Sequence, residues 1–135
     1  MNREQYAALA KEASGFVDQG EYARAIEIFE QLAASDLPDF DRAISWVNIA
    51  TVEDKRGRTE DALACLARAL DFERRTDSYF IAQHRAAYLS KLKRHRESLS
   101  AYRALMERPD LKSEDAAVFR SNIATLETLI DGHQD

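Results

Sequence analysis

The chain has 135 residues, 45% hydrophobic and 32% charged, with only 4 Gly and 2 Pro; this is one domain's worth, argues against disorder and favours helix over strand. Its net charge is −5, and Arg85 to Arg108 holds seven basic residues against Glu97 and Glu107, so the remainder is more acidic still and nucleic acid is disfavoured as a partner. The single cysteine, Cys65, cannot form an internal disulfide, and no stretch reads as a signal peptide or a membrane span, so a soluble, cytoplasmic protein with no membrane association is expected.

In chain order, Asn2 and Gln5 have the spacing of a capping box, and Leu9, Ala13 and Phe16 recur at helical spacing until Gly20. Tyr22, Ala25, Ile26, Phe29 and Leu32 mark a second helix, ended by the turn Ser35 to Asp39. The next pair places Ile44, Trp46, Val47, Ile49, Ala50 and Val52 on one helix, Gly57 in the turn, Thr59 as a cap, and Ala62, Leu63, Leu66, Ala69 and Leu70 on the partner. The loop from Glu73 to Asp77 reads as charged and solvated. Ile81, Ala82, Ala86, Tyr88 and Leu89 then face inward from one helix, and Leu99, Tyr102, Leu105 and Met106 from its partner, across a turn that lacks glycine. Pro109 and Ser113, read as a cap, precede a seventh helix carrying Ala117, Ile123, Leu126 and Ile130, and the final residues are expected to fray.

The segment Asn48-Ile49-Ala50-Thr51-Val52-Glu53 returns 74 residues later as Asn122-Ile123-Ala124-Thr125-Leu126-Glu127, an offset of two periods of 37. A fixed period in this range is the signature of stacked helical repeats. Two helices joined by a few residues pack antiparallel. The period therefore predicts an all-α chain of seven helices.

The residues resemble the tetratricopeptide repeat, whose pattern is Trp-x2-Leu-Gly-x2-Tyr, then Ala-x3-Phe, then Pro. Trp46, Ile49 and Ala50 stand at the Trp, Leu and Gly positions, with Ala62 and Leu66 at the small and aromatic ones. Gly20, Tyr22, Ala25, Phe29 and Pro38 follow the second half of the motif, and Ser98 and Tyr102 keep its register in the third pair. The resemblance implies a single domain over 1–135, a right-handed superhelical solenoid of antiparallel helix pairs, with repeats at about 3–38, 40–74 and 77–110 and a capping helix at about 114–131.

By the same resemblance, the first helix of each pair lines a concave groove. The residues it nominates are Lys11 and Ser14; Ile44, Val47, Asn48, Thr51 and Lys55; Phe80, Gln83, His84 and Lys91; and Asn122 with Thr125. A partner peptide or helix would rest apolar side chains on Ile44, Val47 and Phe80, while Asn48, Lys55 and His84 bond its backbone or carboxylates. Val118 matches Ile44 and Phe80 in register. The alternative for the apolar positions is ordinary packing between repeats. Of the clamp that some family members use for chaperone tails, Asn48 alone is present; Ala10, Ser14, Phe80 and His84 replace its other residues. The basic run Lys91 to Arg96 reads either as a docking patch or as a solvated turn. His84, His95 and His133 have no metal-ligand spacing, Cys65 reads as a small buried thiol, and no glycine-rich phosphate loop, HExxH or nucleophile elbow occurs. The expectation is a protein-binding module with neither catalysis nor a cofactor, or else a scaffold that pairs with itself as a homodimer.

Overall fold

The computed structural model describes residues 1–132, and among them it contains seven α-helices and no strand. The chain divides into two compact units, Met1–Ser78 and a second that begins at Tyr79. The first holds α1 (Arg3–Asp18), α2 (Tyr22–Ala33), α3 (Asp39–Lys55) and α4 (Thr59–Glu73); the second holds α5 (Phe80–Lys91), α6 (His95–Met106) and α7 (Ser113–Asp131). Within each unit, every helix packs chiefly on its neighbours in sequence: α1 on α2, α2 on α3, α3 on α4, then α5 on α6 and α6 on α7. The expected fraying of the last residues concerns positions 133–135, outside those described.

Three turns share one backbone design. At the end of α1, Gly20 N–H donates to Val17 O at 3.0 Å and Glu21 N–H to Phe16 O at 2.8 Å. At the end of α3 the pairs are Gly57 to Asp54 and Arg58 to Glu53, both at 2.9 Å, and at the end of α5 they are Lys93 to Ser90 at 2.9 Å and Arg94 to Leu89 at 3.0 Å. This reciprocal pairing satisfies carbonyls that a helix end otherwise leaves open, and it requires a left-handed residue at its centre. Gly20 has φ 75°, Gly57 76° and Lys93 63°. The residue after each one, Glu21, Arg58 and Arg94, is already the N-cap of the next helix, with ψ of 66°, 71° and 67°. Thr59 is therefore the first residue inside α4 and not its cap, and Arg58 makes no side-chain capping bond. Ser113 likewise lies inside α7, whose N-cap is Lys112. The capping box is present: Gln5 N–H donates to Asn2 Oδ1 at 2.8 Å and Asn2 N–H to Gln5 Oε1 at 2.9 Å.

The buried residues keep the same step as the turns. Ala13, Ala50 and Ala86 are buried on α1, α3 and α5, and Ala25, Ala62 and Ser98 on the helices that follow them. Small side chains at facing positions let helix axes approach closely. Ser98 serves in place of Ala because its hydroxyl donates to the Ala86 carbonyl at 2.8 Å, which satisfies the buried polar atom. Phe29, Leu66 and Tyr102 fill the next turn with larger side chains, and Leu32, Ala69 and Leu105 are buried at the turn after it. In the first unit the core joins Ala13, Ala25, Phe29, Leu32, Leu37, Ile49 and Val52; in the second it joins Ala86, Leu99, Tyr102, Leu105, Phe119 and Leu126. Glu73, expected in a solvated loop, ends α4 as a buried carboxylate that accepts the Ser78 hydroxyl at 3.2 Å.

Candidate partner-binding surfaces

In the first unit, α1 and α3 are tied at their leading ends by Arg3 Nη1, 3.1 Å from Asp41 Oδ1. Asp41 is buried, and among the described residues its other oxygen has no hydrogen-bond partner. Burial and then the Asp41 charge push the nearby Tyr6 hydroxyl above its ordinary pKa. Beyond this tie, Ile44, Asn48, Thr51 and Lys55 follow one another at helical spacing along α3, the first two half-buried and the last two exposed. Lys11 and Ser14 are exposed on α1. Val47 is buried. Thr51 directs its hydroxyl back to Val47 O at 3.1 Å, so that donor is already engaged within the helix.

In the second unit, α5 and α7 are joined by Tyr79. Its hydroxyl donates to Asp115 and accepts Lys112 N–H at 3.3 Å, while its ring meets Phe119 edge-on at 6.4 Å. The hydrogen bond to the Asp115 carboxylate raises the Tyr79 pKa. Arg108 lies over the same ring at 5.3 Å. The sequence neighbours of these two anchors face outward: Phe80 is 51% exposed and Val118 52%. His84, one turn beyond Phe80, places its ring 6.3 Å from the Phe80 ring and is exposed, and Gln83 beside it is half-buried. Lys91 is exposed at the far end of α5. Thr125 is exposed on α7.

The repeated asparagines differ in what they do. Asn122 stands by the Tyr102 hydroxyl and partly offsets the rise in the tyrosine pKa caused by burial. At the matching position of α2 stands Phe29, which has no hydroxyl, and the Asn48 side chain makes no hydrogen bond among the described residues. Asn48 therefore keeps both donors and its acceptor for an outside group. The substitution of Phe for Tyr is the sequence signal that separates the two.

The basic run is partly neutralised from within. Arg94 Nε is 2.8 Å from Glu97 Oε1, and this pairing holds the Glu97 carboxyl below its ordinary pKa. Cys65 is half-buried on α4, and burial followed by the Glu53 charge pushes its thiol up to about 11. Among the described residues no helix is long and apolar enough to cross a membrane, and no group of three His, Cys, Asp or Glu side chains is placed to hold a metal ion. No protein-family model matches the chain, and no curated protein matches it.

Proposed function

We propose that the chain is a tetratricopeptide-type repeat array that recruits a partner protein by holding a peptide or helix of it against the exposed faces of its leading helices, without catalysis. The observation that carries this reading is the open pair Phe80 and Val118, on helices whose adjoining residues, Tyr79 and Phe119, are locked together. Two further facts support the repeat: one turn geometry recurs three times at steps of 37 and 36 residues, and within each unit the helices pack on sequence neighbours. An apolar side chain of the partner sits on Phe80 and Val118, and His84 and Gln83 bond the backbone beside it. In the first unit Asn48 and Lys55 play the same part.

Affinity capture from the native cell tests this. Phe80→Ala combined with Val118→Ala removes the bound partner while helical circular dichroism stays unchanged; undiminished capture by the double variant contradicts the site. The exposed Leu129, 38% open, favours a second reading in which α7 packs against another copy of the chain. Light scattering at two concentrations separates the readings, since a mass that stays monomeric removes self-association.

A further inference from the structure

The first unit carries another surface, on the side of α3 turned away from Asn48. Arg42 and Trp46 stand two residues, about 200° around the helix, from Ile44 and Asn48. Together with Arg68 and Phe72 of α4, Arg75 of the turn after it and the end of α2 they line a cleft of about 690 Å³, within the range of roughly 300–1,000 Å³ usual for ligand sites. Two rings here hold three guanidinium groups. Arg68 lies over Trp46 at 4.8 Å, and Arg42 and Arg75 over Phe72 at 4.5 and 5.2 Å.

A guanidinium resting over a ring uses its face and keeps edge N–H donors for an acceptor in its own plane, the geometry that suits a carboxylate. The ring also holds the side chain in place, so less rotamer freedom is lost on binding. Arg42 is held further by its Nε, which donates to Ala33 O at 2.7 Å. These cations are only partly matched from within the chain. Among the described residues Arg68 makes no ion pair, whereas Arg75 pairs with Asp39 at 3.7 Å. Of the two carboxylates lining the cleft, Asp71 is already taken by Arg74 at 2.8 Å, which leaves Glu30. In a chain of net charge −5, three guanidiniums lining one cleft beside a single uncommitted lining carboxylate favour an anionic occupant.

We infer that this cleft binds an acidic segment of a partner protein, in which carboxylates engage Arg42, Arg68 and Arg75 and an intervening aliphatic side chain lies on the exposed Ala34. Nucleic acid fits less well. The ring faces are covered by guanidiniums and are closed to base stacking, and the acidic remainder of the chain repels a polyphosphate.

Trp46 is the only tryptophan, so its emission reports from inside the cleft without a label. A capped peptide alternating Glu with Leu, titrated into the whole chain at low salt, is expected to change that emission saturably, with affinity falling as salt is added. Calorimetry then compares the chain with Arg68→Glu combined with Arg75→Glu, two surface changes under which helical circular dichroism stays constant. The double variant is expected to bind at least about tenfold more weakly. The inference is overturned if the peptide gives no saturable change, if the double variant binds it equally, if a Lys and Leu peptide binds as well, or if single-stranded RNA binds more tightly.

Discussion

Lys93 takes up a left-handed backbone conformation that its two counterparts, Gly20 and Gly57, fill without a side chain. A residue with a Cβ pays roughly 1–2 kcal/mol to stand there. Lys93→Gly is therefore expected to stabilise the protein by about 1 kcal/mol, and Gly57→Ala to destabilise it by about 1 kcal/mol, read as shifts of the urea midpoint at constant slope. Nothing lies within 4 Å of a Cβ built on Gly57, so the second effect comes from the backbone alone. Cys65 yields a prediction in pH. Its folded thiol, raised from 9.0 to about 11, holds a proton more tightly than the unfolded chain does. That contribution to stability is fully present below 9.0 and is lost as pH climbs through about 11. Wild type should consequently lose more stability than Cys65→Ala over this window, and an equal loss in the two proteins would contradict the assignment.

The helices were legible wherever glycine or periodicity marks them. Gly20 and Gly57 stop α1 and α3, and the inward residues Ala25, Phe29, Ala62 and Leu66 are buried as their spacing predicts. The turn after α5 was not legible as a member of the same set, because lysine has no local preference for a positive φ; the backbone pairs of Lys93 with Ser90 and Arg94 with Leu89 accompany it there. Thr59 and Ser113 resembled caps for a related reason: their residue type suits the position, but the compact turn after Gly57 and the extended Lys112 place the cap one residue earlier. The contacts between helices have their own test. Ala62 and Ala50 are buried on α4 and α3, which pack together, so Ala62→Leu inserts volume into a filled core and should cost about 1–3 kcal/mol. A denaturation midpoint unchanged by that substitution would mean the helices cross elsewhere.

Across the whole molecule, binding surfaces were harder to read than the fold. A leading helix of a repeat carries two apolar stripes side by side, one for the core and one for a partner, and periodicity does not say which is which. Val47 turns inward, whereas Phe80 and Val118 stand in solvent and Ile44 lies between these extremes. The arginine cleft escaped sequence reasoning altogether, since Arg42, Arg68 and Arg75 are brought together only when α3 and α4 pack. Partner recruitment through the leading helices is tested most directly by a photo-crosslinking residue placed at position 80 or 118 of the whole chain in its native cell, with exposed position 104 on α6 as the control. The account predicts a covalent product with a second polypeptide from 80 and from 118 and none from 104. No product from 80 and 118, or an equal yield from all three, would contradict it.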